Sequence, residues 1–493
     1  MSLSVIVAFF LAAIIIQSYI RSYLRLRHVP GPWFASFSLA FMTWTIISGR
    51  MWLIYNDLQK KYGPLVRIGP NDLITDDPAI IKRMSAVRSD YLRSTWYQSR
   101  IDPYVTNIIS ERDTKVHDKR RAQMAAGYAG RETPMVEADI DAQVLSLVKL
   151  LKMKYLSDSK TLRPVDFAEK ASFLTLDVIT KVAYGFPFGF LQSDSDVHQY
   201  MAIMEKFWMP GNIANTLPWL NTILAHPLFL KFVAPKVTDK IGMGKVMGIA
   251  KEVVAERFGP DAKDRQDMLG AFVRHGLSQR QAESEVMFQL IAGSDTTATA
   301  IRATLLYIVT NPLVISKLRQ ELDAAASEGR ISSPISSTEA NALLYLQAVL
   351  LEGFRIHPPF TGLAMKEVPP GGDTLCGLFI PEGTRVGHNI WMLQRNKIIY
   401  GEDVELFRPE RWLDVSADKR AEMEQQLDLI FGYGRWGCMG KSVARMELTK
   451  SICELVRQFD FQLINPTQPW TVANYSLFVH HDMWMKITER NSG

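Results

Sequence analysis

Cysteine is nearly absent: Cys376, Cys438 and Cys453 are the only three in 493 residues. An odd number without a CxxC spacing excludes a disulfide framework and a structural zinc site, and it fits a reducing compartment in which one thiol can be chemically special. Net charge is scarce too. The 56 basic residues exceed the 51 acidic ones by +5, too little over this length for a nucleic-acid partner but enough for a basic docking face. Internal repeats, low-complexity tracts and Pro/Gly/Ser-rich linkers are missing, which favours one large domain over the three that ~150 residues per domain suggests. A phosphate-binding loop is excluded, because Gly440-Lys441-Ser442 needs glycine where Arg435 stands. With 47% apolar and 22% charged residues, the chain is an ordinary globular protein and not a disordered one.

Long apolar runs are missing everywhere except at the N-terminus. Ser2–Ile20 contains no charge and is followed by Arg21, Arg25 and Arg27. As a helix it extends roughly 28 Å, close to the hydrocarbon thickness of a bilayer, and the basic flank puts the bulk of the chain in the cytosol. The run lacks the basic lead and small-x-small site of a cleaved signal. The reading is therefore a single-pass anchor over residues 1–28, with a cytosol-facing domain over 29–493 beginning at the stiff elbow Val29-Pro30-Gly31-Pro32-Trp33.

The domain reads as mainly α with a small β part (α+β). A capping box, Ser278 with Gln281, opens a helix that runs to about Thr310, where Asn311-Pro312 ends it. Further helices are predicted at Val314–Ala326, Glu339–Arg355 and Ser442–Phe459. The predicted strands are short: Leu65–Ile68, Leu73–Ile74, Leu378–Ile380, Arg385–His388 and Phe461–Ile464.

Four clusters carry chemistry. Inside the long helix, Ala292-Gly293-Ser294-Asp295-Thr296-Thr297 breaks helix preference, since glycine costs about 1 kcal/mol and the short polar side chains compete for backbone hydrogen bonds. Two readings stand, a local opening with an acid beside an alcohol, or a tolerated bend. Glu352 and Arg355, three apart on a helix, can pair, and Arg411 of Phe407–Trp412 can complete a buried network. The fourth cluster is Phe431-Gly432-Tyr433-Gly434-Arg435-Trp436-Gly437-Cys438-Met439-Gly440, which runs into a helix at Lys441. Its glycines bring backbone close to a neighbour, and the helix N-terminus favours thiolate at Cys438. The same loop spells GxGxxG after the strand-like Leu427–Phe431, a nicotinamide-dependent dehydrogenase signature; too little chain follows for the remaining parallel strands of that fold.

Taken in order, the four clusters resemble the haem-thiolate monooxygenases of the cytochrome P-450 family across essentially the whole chain. The wording around Pro369-Pro370-Gly371-Gly372 and Ile380–Thr384 is most similar to fungal microsomal, pisatin demethylase-like members. The resemblance implies haem b with Cys438 as the axial thiolate metal ligand, and Phe431, Gly432 and Gly434 against the porphyrin. It implies Ala292 and Gly293 as further cofactor-binding residues, and Asp295 with Thr296 as the pair that delivers protons. Glu352, Arg355 and Arg411 become a structural triad. The family usually has arginine two positions before the cysteine, where this chain has Trp436; Arg435, Arg121 and His117 are then the candidate propionate contacts, against a solvated-face reading for His117. A lipophilic substrate is implied, lined by Met287–Ile291, Phe360–Met365, Tyr475–His480 and Tyr91–Tyr104 and oriented by Thr361. So are electrons from NADPH through a membrane-bound reductase on a face bearing Arg435, Lys441, Arg445, Lys450, Lys115, Lys119 and Arg120, a monomeric state, the endoplasmic reticulum and secondary metabolism. A same-fold isomerase or dehydratase is the alternative, disfavoured by the retained Asp295-Thr296 pair.

Overall fold

The computed structural model describes residues 10, 16–17 and 19–490. Most of the uncharged run Ser2–Ile20 of the expected anchor lies outside them. Among the described residues no single helix is long and apolar enough to cross a membrane.

The interior is organised by the 31-residue helix Gln279–Val309, hereafter the central helix. It begins where expected: the Ser278 side chain accepts from the Gln281 amide while the Gln281 side chain takes the Ser278 N–H. Most of its residues are buried, so it shows no polar stripe, and its closest partner, Phe167–Tyr184, is enclosed in the same way. Leu344–Ile356 and Lys441–Gln458 also pack on it. The single helix expected over Glu339–Arg355 is in fact two, Ser337–Asn341 and Leu344–Ile356, because Leu343 between them is extended. The strand-like Leu427–Phe431 is helical as well, ending in a 3-10 turn over Asp428–Phe431. No strand precedes the glycine loop, and the βαβ reading of GxGxxG falls.

Among the described residues twelve short strands make the β part, including several that the sequence hid, such as Trp484–Glu489 and the hairpin of Thr471–Asn474 with Phe478–His481. The largest sheet has the order Leu65–Gly69, Asp72–Thr75, Arg385–His388, Lys366–Glu367, Leu92–Arg93. Its register sets Arg93 directly opposite Lys366. Two cations on neighbouring strands repel, so this pairing needs an explanation from outside the sheet.

The elbow is fastened to that sheet. The Arg67 amide donates to the Pro30 carbonyl at 2.8 Å. A Cβ on Gly31 would come within 2.3 Å of the Arg67 carbonyl oxygen, so only glycine fits there. The buried Arg67 guanidinium donates to the carbonyls of Ser22, Tyr23 and Pro70 at 2.9, 3.3 and 2.7 Å. Leu26 and Val29 are buried against the same sheet, so the chain from about Ser22 packs on the folded domain.

Candidate active site

The cysteine loop is held by its own backbone. The Cys438 amide donates to the Phe431 carbonyl at 2.7 Å, and Gly437 to Gly434 at 3.1 Å. Gly432 and Gly434 have φ of +75° and +57°, the left-handed region where L side chains are strained. A Cβ on Gly434 would also lie 2.3 Å from the Ser85 carbonyl oxygen. Neighbouring protein therefore already requires that glycine.

Beneath the loop lies the satisfied counterpart of the site. Glu352 accepts two bonds from Arg355 at 2.8 Å each, one from Arg411 at 3.0 Å, one from the Trp412 indole at 3.0 Å and one from the Arg408 amide at 2.9 Å. All three members of the expected triad are fully buried. Burial alone pushes the Glu352 carboxyl up, but the two guanidiniums overcome it and hold the group below its ordinary value. Phe354, on the same helix, stands edge-on to Phe431 at 5.5 Å and ties the node to the cysteine loop.

A cavity of ≈ 450 Å³ separates the cysteine loop from the central helix. Cys438, Phe431, Gly432, Ala292, Gly293 and Thr296 line it. Cys438 is enclosed by the fold, yet its thiol is open to this space. Burial pushes the thiol up, while the amides of Gly440 and Lys441 and the Arg121 charge pull it back; burial wins. The helix N-terminus alone does not make the thiolate expected from sequence, and a metal cation is what would complete the balance. The Ala292–Thr297 stretch does not open. The helix runs through it, with the Thr296 hydroxyl donating to the Ala292 carbonyl at 2.8 Å and Ser294 to Leu290 at 2.7 Å. Gly293 is required by Ile179, whose side chain a Cβ would meet at 2.7 Å.

One wall is cationic. His117, Arg121, Arg93, Lys366, His388 and Trp436 all line the cavity. The Trp436 ring is packed against the Lys366 ammonium at 4.0 Å, the Arg93 guanidinium at 4.1 Å and the His117 ring at 4.4 Å. Among the described residues no carboxylate pairs with Lys366, Arg93 or Arg121, and Arg93 Nε and His388 Nε2 are buried without any partner. Burial, then neighbouring cations, push Lys366 well below its usual value, His388 to about 3 and His117 to about 4. A buried wall of unpaired cations is costly unless an anion completes it. The two propionates of haem are such an anion, so the residues present fit the group.

The predicted contacts divide on this wall. His117 is buried in the site and not on a solvated face. Arg121 lines the cavity and spends one N–H on the Gly437 carbonyl at 2.7 Å. Arg435 stands beside the wall without lining the cavity: its guanidinium lies 6.0 Å over the Trp436 ring, donates to the Val87 carbonyl and is 3.6 Å from Asp118. Arg93 and Lys366 belong to no sequence motif and are brought together by strand register alone. On the other side of the cavity, Thr361 is a correction, buried against Asn474 and Ser476 and not lining the space. Phe207, Trp208, Asn212 and Asn215, from the helix Tyr200–Thr216, line it instead. Asp295 does not line it; its carboxylate points to the Trp208 indole at 3.1 Å.

The predicted basic face is also revised. Arg120 and Lys450 are buried, Lys450 between Glu137 and Asp141 at 2.9 and 2.7 Å. Lys441 and Arg445 share Asp428 at 2.7 and 2.8 Å. Lys115 and Lys119 remain exposed.

The sequence profile of the cytochrome P450 family matches residues 29–486, and the chain belongs to that family: it is a haem-dependent monooxygenase, with the thiolate iron ligation the family implies. Among known proteins it is 47% identical over 482 residues to the cytochrome P450 monooxygenase ABA1 of Pyricularia oryzae, covering 96% of this chain and 94% of that one. It is 44% identical over 470 residues to aba1 of Botryotinia fuckeliana, covering 94% and 92%. With abl1 of Leptosphaeria maculans it shares 39% over 469 residues, covering 94% and 82%. All three are fungal.

Proposed function

We propose that this protein is a fungal microsomal monooxygenase that draws electrons from NADPH through a reductase and oxidises a lipophilic small molecule in secondary metabolism. The observation that carries the reading is the pairing of an open thiol, Cys438, with an unneutralised cationic wall across one cavity. Cys438 would hold the iron, and Arg93, Lys366, Arg121 and His117 would hold the propionates, with Trp436 as the packing surface between them in place of the usual arginine. Bound there, haem supplies activation of dioxygen, which thiolate donation favours. The protein's own contribution is to exclude bulk water with Phe354, Phe360 and Leu477, and to hold a proton donor, the Thr296 hydroxyl, on the open side of the cavity with the Asp295 carboxyl behind it. Burial raises that carboxyl above its ordinary value, so it binds a proton more readily than a free aspartate.

The substrate space supports a lipophilic ligand, since its lining is dominated by Ile101, Ile108, Ile179, Phe207 and Phe360. Attachment to the endoplasmic reticulum rests on the uncharged Ser2–Ile20 run and on exposed Trp33, Phe34, Phe37, Trp44 and Ile47 beside the elbow, an apolar patch of the kind that marks a membrane contact. Reductase docking rests on Lys115 and Lys119 and on the one positive charge that Asp428 leaves over from Lys441 and Arg445.

The test is the carbon-monoxide difference spectrum of the reduced protein. Cys438→Ala should abolish the red-shifted thiolate band, while Cys376→Ala and Cys453→Ala retain it. A band that survives Cys438→Ala would sink the assignment.

A further inference from the structure

Trp208 sits on the helix Tyr200–Thr216, which roofs the cavity, and it faces two ways. Its ring forms part of the cavity lining, while its indole N–H donates to Asp295 Oδ2 at 3.1 Å. This is the only hydrogen bond to the Asp295 carboxylate among the described residues. Arg302, the nearest cation by its influence on Asp295, is committed elsewhere: its guanidinium donates to the Ala168 carbonyl at 2.6 and 2.9 Å and to the Ser172 hydroxyl. Asp295 adjoins Thr296, which lines the cavity, yet Asp295 itself is not part of that lining. The acid therefore leans on the roof and away from the space where the chemistry occurs.

The roof residue is itself fixed from behind. The Trp208 carbonyl accepts the Asn212 side-chain amide at 3.0 Å, and Asn212 accepts the Ser476 hydroxyl at 3.2 Å, which ties this turn to the C-terminal hairpin. Pro210 lies two residues on and removes one helical hydrogen bond from the same turn. A ligand filling the cavity touches the indole ring and so bears on the donor that holds the acid.

We propose that Trp208 is a positioning residue that parks the Asp295 carboxylate on the roof helix until the cavity is occupied, coupling substrate binding to proton supply. The proposal rests on the reading of Asp295 and Thr296 as the proton-delivering pair. It makes the empty-cavity enzyme slow to pass protons through Thr296 because its acid is held away from that residue.

The test needs no identified substrate. Full-length protein reconstituted with an NADPH reductase is assayed without ligand for NADPH oxidation and peroxide, which balance as NADPH + H⁺ + O₂ → NADP⁺ + H₂O₂, in H₂O and in D₂O. Trp208→Phe removes the N–H and keeps an aromatic ring; its haem content is matched to wild type through the carbon-monoxide spectrum. Ligand-free peroxide formation should rise several-fold, and Asp295→Asn in the same background should cancel the rise. A rise that persists in the double variant reports packing and overturns the proposal while leaving the relay untouched. An unchanged rate in Trp208→Phe, with a D₂O effect that Asp295→Asn alters, overturns the proposal alone. If neither variant moves the rate or the isotope effect, the relay assignment falls and the proposal with it.

Discussion

Two polar clusters lie buried on either side of the cysteine loop, and they differ in one respect. The Glu352 node brings one carboxylate, two guanidiniums and an indole together with its hydrogen bonds made. The wall around Trp436 brings Arg93, Lys366, Arg121 and two histidines together with no carboxylate among the described residues, and with Arg93 Nε and His388 Nε2 orphaned. A satisfied cluster stabilises the fold by itself, whereas an unsatisfied one of the same depth is tolerated because something else is to be bound. Residue type does not separate them, since both are rich in arginine. The count of partners does.

The largest effect is expected at the node. Glu352→Ala leaves two buried guanidiniums without their carboxylate and should cost about 3–5 kcal/mol, read as loss of the cooperative urea transition together with loss of haem. A smaller and opposite effect is expected in the wall. Lys366→Met removes an unpaired buried cation, so the haem-free protein should be no less stable than wild type, while haem leaves the holoprotein roughly tenfold faster, as for loss of a charge-assisted bond. Transfer of haem to an apoglobin measures the second; equal transfer rates would mean that Lys366 does not face a propionate.

Acid should separate the clusters next. His117 and His388 titrate at about 4 and about 3 in the folded chain, against about 6.5 when free. Between about pH 6.5 and about 4 the unfolded chain binds protons that the folded chain refuses, so stability falls as pH falls through that window. Glu352 is held below its ordinary value, so the node keeps its charge there and weakens only at lower pH. Urea midpoints of the haem-free protein should therefore drop from pH 6.5 to 4.5, and His117→Gln should flatten the drop. The smallest effect belongs at the rim. Lys115→Glu with Lys119→Glu should slow reduction by the reductase a few-fold at low salt and not at high salt, as screened steering charges do.

The node was legible in the sequence because its members fall in two motifs and two of its bonds, both from Arg355 to Glu352, are local. Cys438, the capping box at Ser278 and the limits of the central helix were legible for the same reason. Arg93 and Lys366 were not, since 273 positions separate them and only strand register sets them side by side. Asp295 was found by its neighbour Thr296, but its direction was not, because Trp208 is 87 positions away. Glu339–Arg355 has the pattern of one helix because both halves share a period, and the extended Leu343 carries no Pro or Gly to mark it. Lys450 and Arg120 read as surface charges, yet carboxylates from other helices enclose them.

The fastening of the elbow by Arg67 has a mechanical consequence. Two carbonyl bonds from one guanidinium to Ser22 and Tyr23, with Gly31 pressed on the backbone of the same residue, make the joint at Ser22–Pro32 a weld and not a hinge. Were the chain gripped by a bilayer ahead of Ser22, the domain would stand on it as a bracket stands on a wall, at a fixed tilt with the cavity mouth aimed in one direction. Arg67→Ala would turn the bracket into a tether, and the mouth would then sample every direction that the length of the tether allows.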